Sequence, residues 1–349
     1  MTDQNRLELA QLLLQEPQKA LELTGKGQTV ALISNGGQIP ELGSLSPQAV
    51  LPYLEGEAYL IQKLTSLKVW PLAVNATMPE QIASLAIMLA PAAGLLCLTG
   101  LKDESFQAVE RILTPLGLPT FFHPQQSLPI LILAALNKAL TLTNRAINVS
   151  RIVLAGFESD SLALVDFLLA AGAVNLVVCD RSGAIHKGRT GPTSWLKEQL
   201  AQKTNPQLIK GGLNKALSGA DVYISRSTPM SVSKDIVNLM APKPIVLNFS
   251  WALSPPGPLS ASNQPLGLGF GPGPKTRLPI NLLTALVLSG LFSGALKARA
   301  TTITTPMKLA VAQTLADLTD PRCPDQLLPL PSRPDLVEKV ASQVERASL

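Results

Sequence analysis

The stretch Val153–Ser161, VLAGFESDS, is where this chain could handle a nucleotide phosphate. The apolar run RIVLAG reads as a buried strand. SLALVDFLLAAGA reads as an amphipathic helix ending at Gly172, and VNLVVCD as a second buried strand closing on Asp180. In such a βαβ unit a Gly-rich turn holds a pyrophosphate and an acid at the second strand's end holds a ribose hydroxyl. Gly156 is the first glycine of that turn, and Asp180 stands 24 positions later. The other two glycine places hold Glu158 and Ser161, with Asp160 between them. Glu158 puts a carboxylate near where phosphate charge would lie. Glu158, Ser159, Asp160 and Ser161 can each accept a free N–H at a helix start. The expectation is a self-capped helix whose own side chains stand in for the phosphates. Elsewhere the polar residues that could work in a cleft are Glu57, His123, Gln125, Gln126, Asp180 and Arg181. The sequence assembles no triad, metal set or acid/base pair from them.

Alternating strands and helices must position these residues. SPQAVLPYLEGEAYLIQKLTS is a helix capped by Ser46 with Pro47 at its first position. KVWPLAVNA, LLCLTG and LPTFFH are strands, with helices PEQIASLAIMLAPAAG and DESFQAVERILTPLG between them. LPILILAALNKALTLTNR is a long helix ahead of the βαβ unit. SWLKEQLAQKT is a helix capped by Ser194, and GADVYIS and PIVLNFS are further strands. The Pro/Gly-rich run SPPGPLSASNQPLGLGFGPGPKTRLP reads as loop, and LVEKVASQVERA as a final helix. This alternation predicts an α/β fold with parallel sheets.

The 349 residues suffice for two domains with sizeable cores. Hydrophobic residues make up 46% and charged ones 15%, so aliphatic side chains must fill the interior. The net charge of +5 is spread without a basic block or interleaved aromatics, which argues against nucleic-acid binding. Cys97, Cys179 and Cys323 are far apart and suggest no disulfide framework, in keeping with a reducing cytoplasm. The N-terminal MTDQNRLELAQ lacks the layout of a signal peptide. Residues 278–296 are uncharged over 19 positions, near the minimum for a membrane span. Pro279, Asn281, Thr284 and two serines favour a buried helix at a domain junction instead.

Several runs, in this order, resemble the short bacterial type of malic enzyme. They are ELTGKGQTVALIS (22–34), VLPYLEGEAYLIQKL (50–64), LPTFFHPQQSLPILILAALNKAL (118–140) and FLLAAGAVNLVVCDRSGAIHKGR (167–189), followed by GADVYIS, PIVLNFS, LFSGALKARA and LPLPSRPDLVEKVAS. The resemblance implies an N-terminal α/β substrate-type domain over 1–120. It implies a Rossmann-like, doubly wound NAD(P)-binding-type domain over 121–300, and a C-terminal helical extension over 301–349 packing back on the chain. The family oxidises and decarboxylates malate to pyruvate with NAD(P) and Mg²⁺ or Mn²⁺, as dimers or larger oligomers.

Carried over residue by residue, the resemblance implies a degenerate site. The family's Glu-Asp metal pair falls on Leu98 and Thr99, and its third aspartate on Pro124. His123 is a lone donor that does not hold Mg²⁺ by itself. The catalytic lysine falls on Glu57, a reversal of charge; Lys63, six residues on, reads as a surface residue. The catalytic tyrosine belongs to an upstream segment, and the chain starts too late to contain it. Tyr53 and Tyr59 read as core or helix-surface residues. The substrate-binding asparagines fall on Trp251, Leu283 and Thr284, with Asn281 out of register. The expectations are therefore no divalent metal site, no retained catalytic residue, and at most weak NAD or NADP binding through Gly156 and Asp180. Malate decarboxylation is expected to be lost, in favour of a binding, regulatory or assembly role as a homodimer or with a protein partner. The alternatives are a divergent NAD(P)-dependent malate oxidoreductase, or an enzyme with a repurposed cleft.

Overall fold

The structure, a computed structural model, describes residues 3–39, 42–156, 161–190, 194–225, 234–248, 266–269, 280–320 and 326–349. Strands and helices alternate as their apolar patterns require. Helices α1 (Asp3–Gln15) and α2 (Ala20–Leu23) precede β1 (Thr29–Ser34). Then come α3 (Pro47–Leu64), β2 (Lys68–Ala73), α4 (Pro79–Leu89), β3 (Leu95–Thr99), α5 (Asp103–Leu113) and β4 (Thr120–His123). The second set runs α6 (Ser127–Leu142), β5 (Arg151–Ala155), α7 (Ser161–Ala170), β6 (Asn175–Asp180), β7 (Gly183–Ala184), α8 (Trp195–Lys203) and α9 (Leu213–Leu217). It continues through β8 (Val222–Ser225), α10 (Lys234–Leu239), β9 (Ile245–Asn248) and β10 (Leu266–Gly269) to α11 (Ile280–Lys297), α12 (Thr305–Asp317) and α13 (Leu336–Arg346).

Two compact units result. The first comprises Met1–Pro124, Ala285–Lys308 and Val337–Leu349; the second comprises Gln125–Thr284 and Leu309–Leu336. Residues 301–349 are thus divided between both.

The first unit carries a parallel sheet of order β2-β1-β3-β4. Every residue of β1 and β3 is buried, which explains why both read as unbroken apolar runs rather than alternating ones. Ala31, Ile33, Leu96 and Leu98 face Ile82, Ala86, Val109 and Phe106 in one cluster. Phe106 meets Phe122 edge-on at 5.0 Å between centroids. Burial of each large side chain here contributes about 1.5–3 kcal/mol. Most of the 278–296 stretch, whose membrane-spanning length raised the question, lies in the 18-residue helix α11, with Leu286, Val287, Leu291 and Phe292 buried. Its Phe292 packs on Phe121 of β4 at 5.6 Å, and Gly290 and Gly294 let it approach Val340 and Val344 of α13. Among the described residues no helix is long and apolar enough to cross a membrane.

The second unit carries the order β10-β9-β8-β5-β6-β7, parallel except for the short antiparallel β6–β7 pair. The chain starts in the middle at β5, winds outward through β6, then returns to wind through β8, β9 and β10. This is the doubly wound Rossmann plan, whose ligand crevice lies at the strand ends where the winding reverses. Two strands depart from the sequence expectation. β10 lies within the run read as loop, pairing Leu266–Gly269 with Ile245–Asn248. At the sheet edge, backbone pairing tolerates its two glycines and the flanking prolines. β7 is only two residues long, too short to give a periodic signal.

Candidate functional site

In the first unit the C-terminal ends of β3 and β4 lie side by side, with Thr99 opposite His123. Gly100 ties them together: its N–H donates to the His123 carbonyl at 3.2 Å and its own carbonyl accepts from Gln38 N at 2.7 Å. Its φ of +62° favours glycine, and a Cβ there would lie 2.5 Å from Ile39 Cδ1.

Helix α3 brings Glu57 to this place. Ser46 Oγ caps it by accepting from Ala49 N at 3.3 Å, with Pro47 in the first turn. Its buried face is Val50, Leu54, Glu57, Ala58 and Ile61, one stripe at helical spacing. A carboxylate in an apolar stripe needs a partner. Glu57 Oε1 finds it in His123 Nε2 at 2.8 Å, with the two side chains 7% and 2% exposed. Glu57 Oε2 has no hydrogen-bond partner among the described residues. Cys97 of β3 is fully buried nearby, and burial together with the Glu57 carboxylate pushes its thiol pKa well up. Glu57, Leu98, Thr99, His123 and Pro124 are therefore gathered at one end of one sheet. The Glu57–His123 pair corrects the sequence reading, which found no such pair among these residues. The signal was available: a glutamate inside the buried stripe of α3 demands a cation or donor, and His123 ends a buried strand.

Around this pair, the positions carried over for a divalent metal offer one hydroxyl, on Thr99, and no carboxylate. Leu98 and Thr99 are 0% and 1% exposed. Mg²⁺ and Mn²⁺ take several carboxylate and other oxygen ligands; of the Glu57 carboxylate, Oε1 is engaged by His123 and Oε2 alone remains. Among the described residues no group of three His, Cys, Asp or Glu side chains is placed to hold a metal. Among the described residues, those at the carried-over positions do not by themselves make a donor set for the ion. Lys63 lies on the exposed surface over the Tyr59 ring, 5.3 Å from its centroid.

In the second unit Gly156 follows β5 with φ +101°, and its N–H donates to the Cys179 carbonyl at 3.2 Å. Residues 157–160 lie outside the described residues, and with them the expected self-capping by Glu158, Ser159 and Asp160. Ser161 opens α7 and is buried. Trp251 also lies outside the described residues. Leu283 and Thr284 are buried on α11.

Asp180 ends β6 at the place of a ribose-binding acid, but its oxygens are already engaged. Oδ1 accepts from Ser182 N at 2.8 Å and from Arg189 Nη2 at 2.8 Å. Oδ2 accepts from Arg189 Nη1 at 3.0 Å and lies 2.8 Å from Lys197 Nζ. A carboxylate has about four lone-pair sites, and four donors occupy them. Burial pushes the Asp180 pKa up, but Arg189, Lys197 and the Ser182 N–H outweigh it and bring it from 3.8 to about 2. The β6–β7 hairpin returns the chain to deliver Arg189. It requires Gly183, with φ +111° and a Cβ position only 2.2 Å from the Gly211 carbonyl. Ser194 Oγ caps α8 on Lys197 N at 3.4 Å and so sets where Lys197 leaves the helix. Sequence reasoning singled out Asp180 and missed both of its cations. Arg189 sits nine residues on, across a hairpin that carries no periodicity.

No family model matches the chain. It is 31% identical over 339 residues to an NAD-dependent malic enzyme of Geobacillus stearothermophilus, covering 96% of this chain and 70% of that protein. It is 28% identical to a bifunctional malic/malolactic enzyme of Bacillus subtilis, covering 95% and 81%. Among solved structures it is similar to the NAD-dependent malic enzyme of Thermotoga maritima, with a TM-score of 0.83 and 25% identity over 97% of this chain and 89% of that one.

Proposed function

The chain belongs to the malic enzyme family, and from that premise we propose that it has given up metal-dependent oxidative decarboxylation of malate and works as a binding, regulatory or assembly member of the family. The buried Glu57–His123 pair carries this reading. Where the resemblance puts a lysine facing a dicarboxylate, this chain has a carboxylate that would repel one. Truncating one partner of a buried pair leaves the other uncompensated, so the two residues hold each other in place rather than await a substrate. With Leu98, Thr99 and Pro124 at the positions carried over for the metal, no donor set for Mg²⁺ or Mn²⁺ remains there. A homodimer, or a complex with a second protein, is the form in which such a framework would act.

A second reading, a divergent NAD(P)-dependent malate oxidoreductase, is favoured by the names of the relatives. It is also favoured by the way the likeness runs along nearly the whole chain. Calorimetric titration of the purified protein with NAD⁺ and NADP⁺, with and without Mn²⁺ and malate, separates the two. The first reading expects no ternary complex and no reduction of nucleotide. Micromolar nucleotide binding that tightens with malate and Mn²⁺, accompanied by nucleotide reduction at 340 nm, would sink it and establish the second.

A further inference from the structure

Several lysines of the chain are anchored. Lys19 meets Glu16, Lys197 meets Asp180, Lys203 meets Asp166, and Lys138 donates to the Thr319 carbonyl. Lys308 is not. It is the fourth residue of the 13-residue helix α12, partly buried beside Met307, which is itself buried. Among the described residues its side chain has no hydrogen bond or ion pair. The helix gives it no relief, because a cation near the start of a helix lies at the positive end of the dipole. Thr304 caps that start: its Oγ1 accepts from Met307 N at 3.4 Å and its carbonyl from Lys308 N at 3.3 Å. Pro306 has no N–H, so little is left there to gather an anion beside the ammonium. Burial favours the neutral amine. Although the Glu110 carboxylate on α5 of the same unit opposes it, the Lys308 pKa comes down from 10.5 to about 8.

We propose that Lys308 is a covalent modification site whose Nζ accepts an acyl group from an acyl phosphate. The neutral amine attacks the acyl carbon. A C–N bond forms, the bond from that carbon to the phosphate oxygen breaks, phosphate leaves with the electron pair, and the proton shed by nitrogen goes to water. Nothing is oxidised or reduced. The product is a neutral amide, so a charge is removed from a place that supplies it with neither water in full nor a partner. Part of the residue remains open to solvent, which admits a small donor. At pH 7.5 a lysine with a pKa of about 8 is roughly one-quarter neutral, against about one part in a thousand for an ordinary lysine. Lower basicity weakens each attack, and partial burial slows approach, which leaves an advantage of about tenfold. The inference goes beyond the proposed function and does not rest on it, since Lys308 lies outside the positions carried over for metal, substrate and nucleotide.

The test is incubation of the full chain with acetyl phosphate at pH 7.5, with mass-spectrometric mapping of acetylated lysines over time. The expected result is acetylation of Lys308 about tenfold faster than that of the exposed Lys187 and Lys215, with the preference lost when the same chain is labelled in denaturing urea. A Lys308 rate equal to or below that of the exposed lysines in the folded protein would overturn the proposal. So would a preference that persists in urea, because it would then come from the local sequence and not from the fold. A second measurement needs no reagent. A lysine whose folded pKa is lowered costs stability below that pKa, and the cost is lost as pH rises toward its unfolded value. The thermal midpoint of Lys308→Met should therefore gain on that of wild type by about 2 °C or more at pH 7 relative to pH 10. A difference between the two proteins that is the same at both pH values would overturn the account of the unpaired ammonium. The labelling result stands on the wild-type chain alone, whether or not Lys308→Met folds.

Discussion

Replacing Asp180 by asparagine should lower stability by an amount that depends on pH in a defined way. The folded pKa is about 2 against an ordinary 3.8. A carboxylate held down in this way stabilises the fold above its unfolded pKa, and the contribution fades as pH falls through the folded one. The shift corresponds to about 2 kcal/mol at pH 7, falling to roughly half that by pH 3. Orphaning of the cations adds little, because Arg189 and Lys197 are each about a quarter exposed and can turn to water. The assay is urea unfolding of wild type and Asp180→Asn by circular dichroism at pH 7, 5 and 3 at constant ionic strength. The gap between the two proteins should hold from pH 7 to 5 and shrink by pH 3. A gap that stays constant to pH 3, or is absent at pH 7, would refute the view that the four donors stabilise the ionised carboxylate.

In the first unit, Glu57→Gln, His123→Gln and the double variant should form a cycle with a coupling of about 1–3 kcal/mol; a coupling near zero would mean the pair is not held as described. Iodoacetamide at pH 8 should leave Cys97 and Cys179 unmodified while the protein is folded, since burial pushes Cys97 well up and Cys179 up to about 12. Mass-spectrometric mapping of early labelling at either site would contradict this. Gly290→Val should cost more than about 2 kcal/mol, because even a Cβ there would lie 2.3 Å from Val340 Cγ1. A thermal midpoint equal to that of wild type would show that α13 does not pack as closely as described.

Much of the fold was legible because both sheets are parallel and buried. Unbroken runs such as LLCL and RIVLA can hardly be anything else when helices lie between them. The α3 and α8 caps were legible too, since Ser46 and Ser194 act on the residues three positions ahead of them. What could not be read was whatever depends on chain returning from a distance. The link between Glu57 and His123 spans 66 positions and exists only because α3 and β4 meet at one sheet end. The Arg189 and Lys197 grip on Asp180 depends on a two-residue strand and a glycine at φ +111°. Strand β10 was hidden by glycine and proline, which signal a turn more strongly than a short edge pairing signals a strand.

The division of the chain between the two units has a bearing on how the protein is made. The first unit draws on three separate segments, and the second on two. During synthesis the four-stranded sheet is available once residue 123 has been made. The face of α11 around Gly290 and Gly294 packs on Val340 and Val344, which follow it in the chain. The first unit therefore cannot close before the second has been synthesised, which puts part of its assembly after translation of most of the chain rather than in step with it. Ribosome-stalled chains ending at residue 336 should accordingly remain protease-sensitive within residues 285–308, and gain protection only when residues 337–349 have been released.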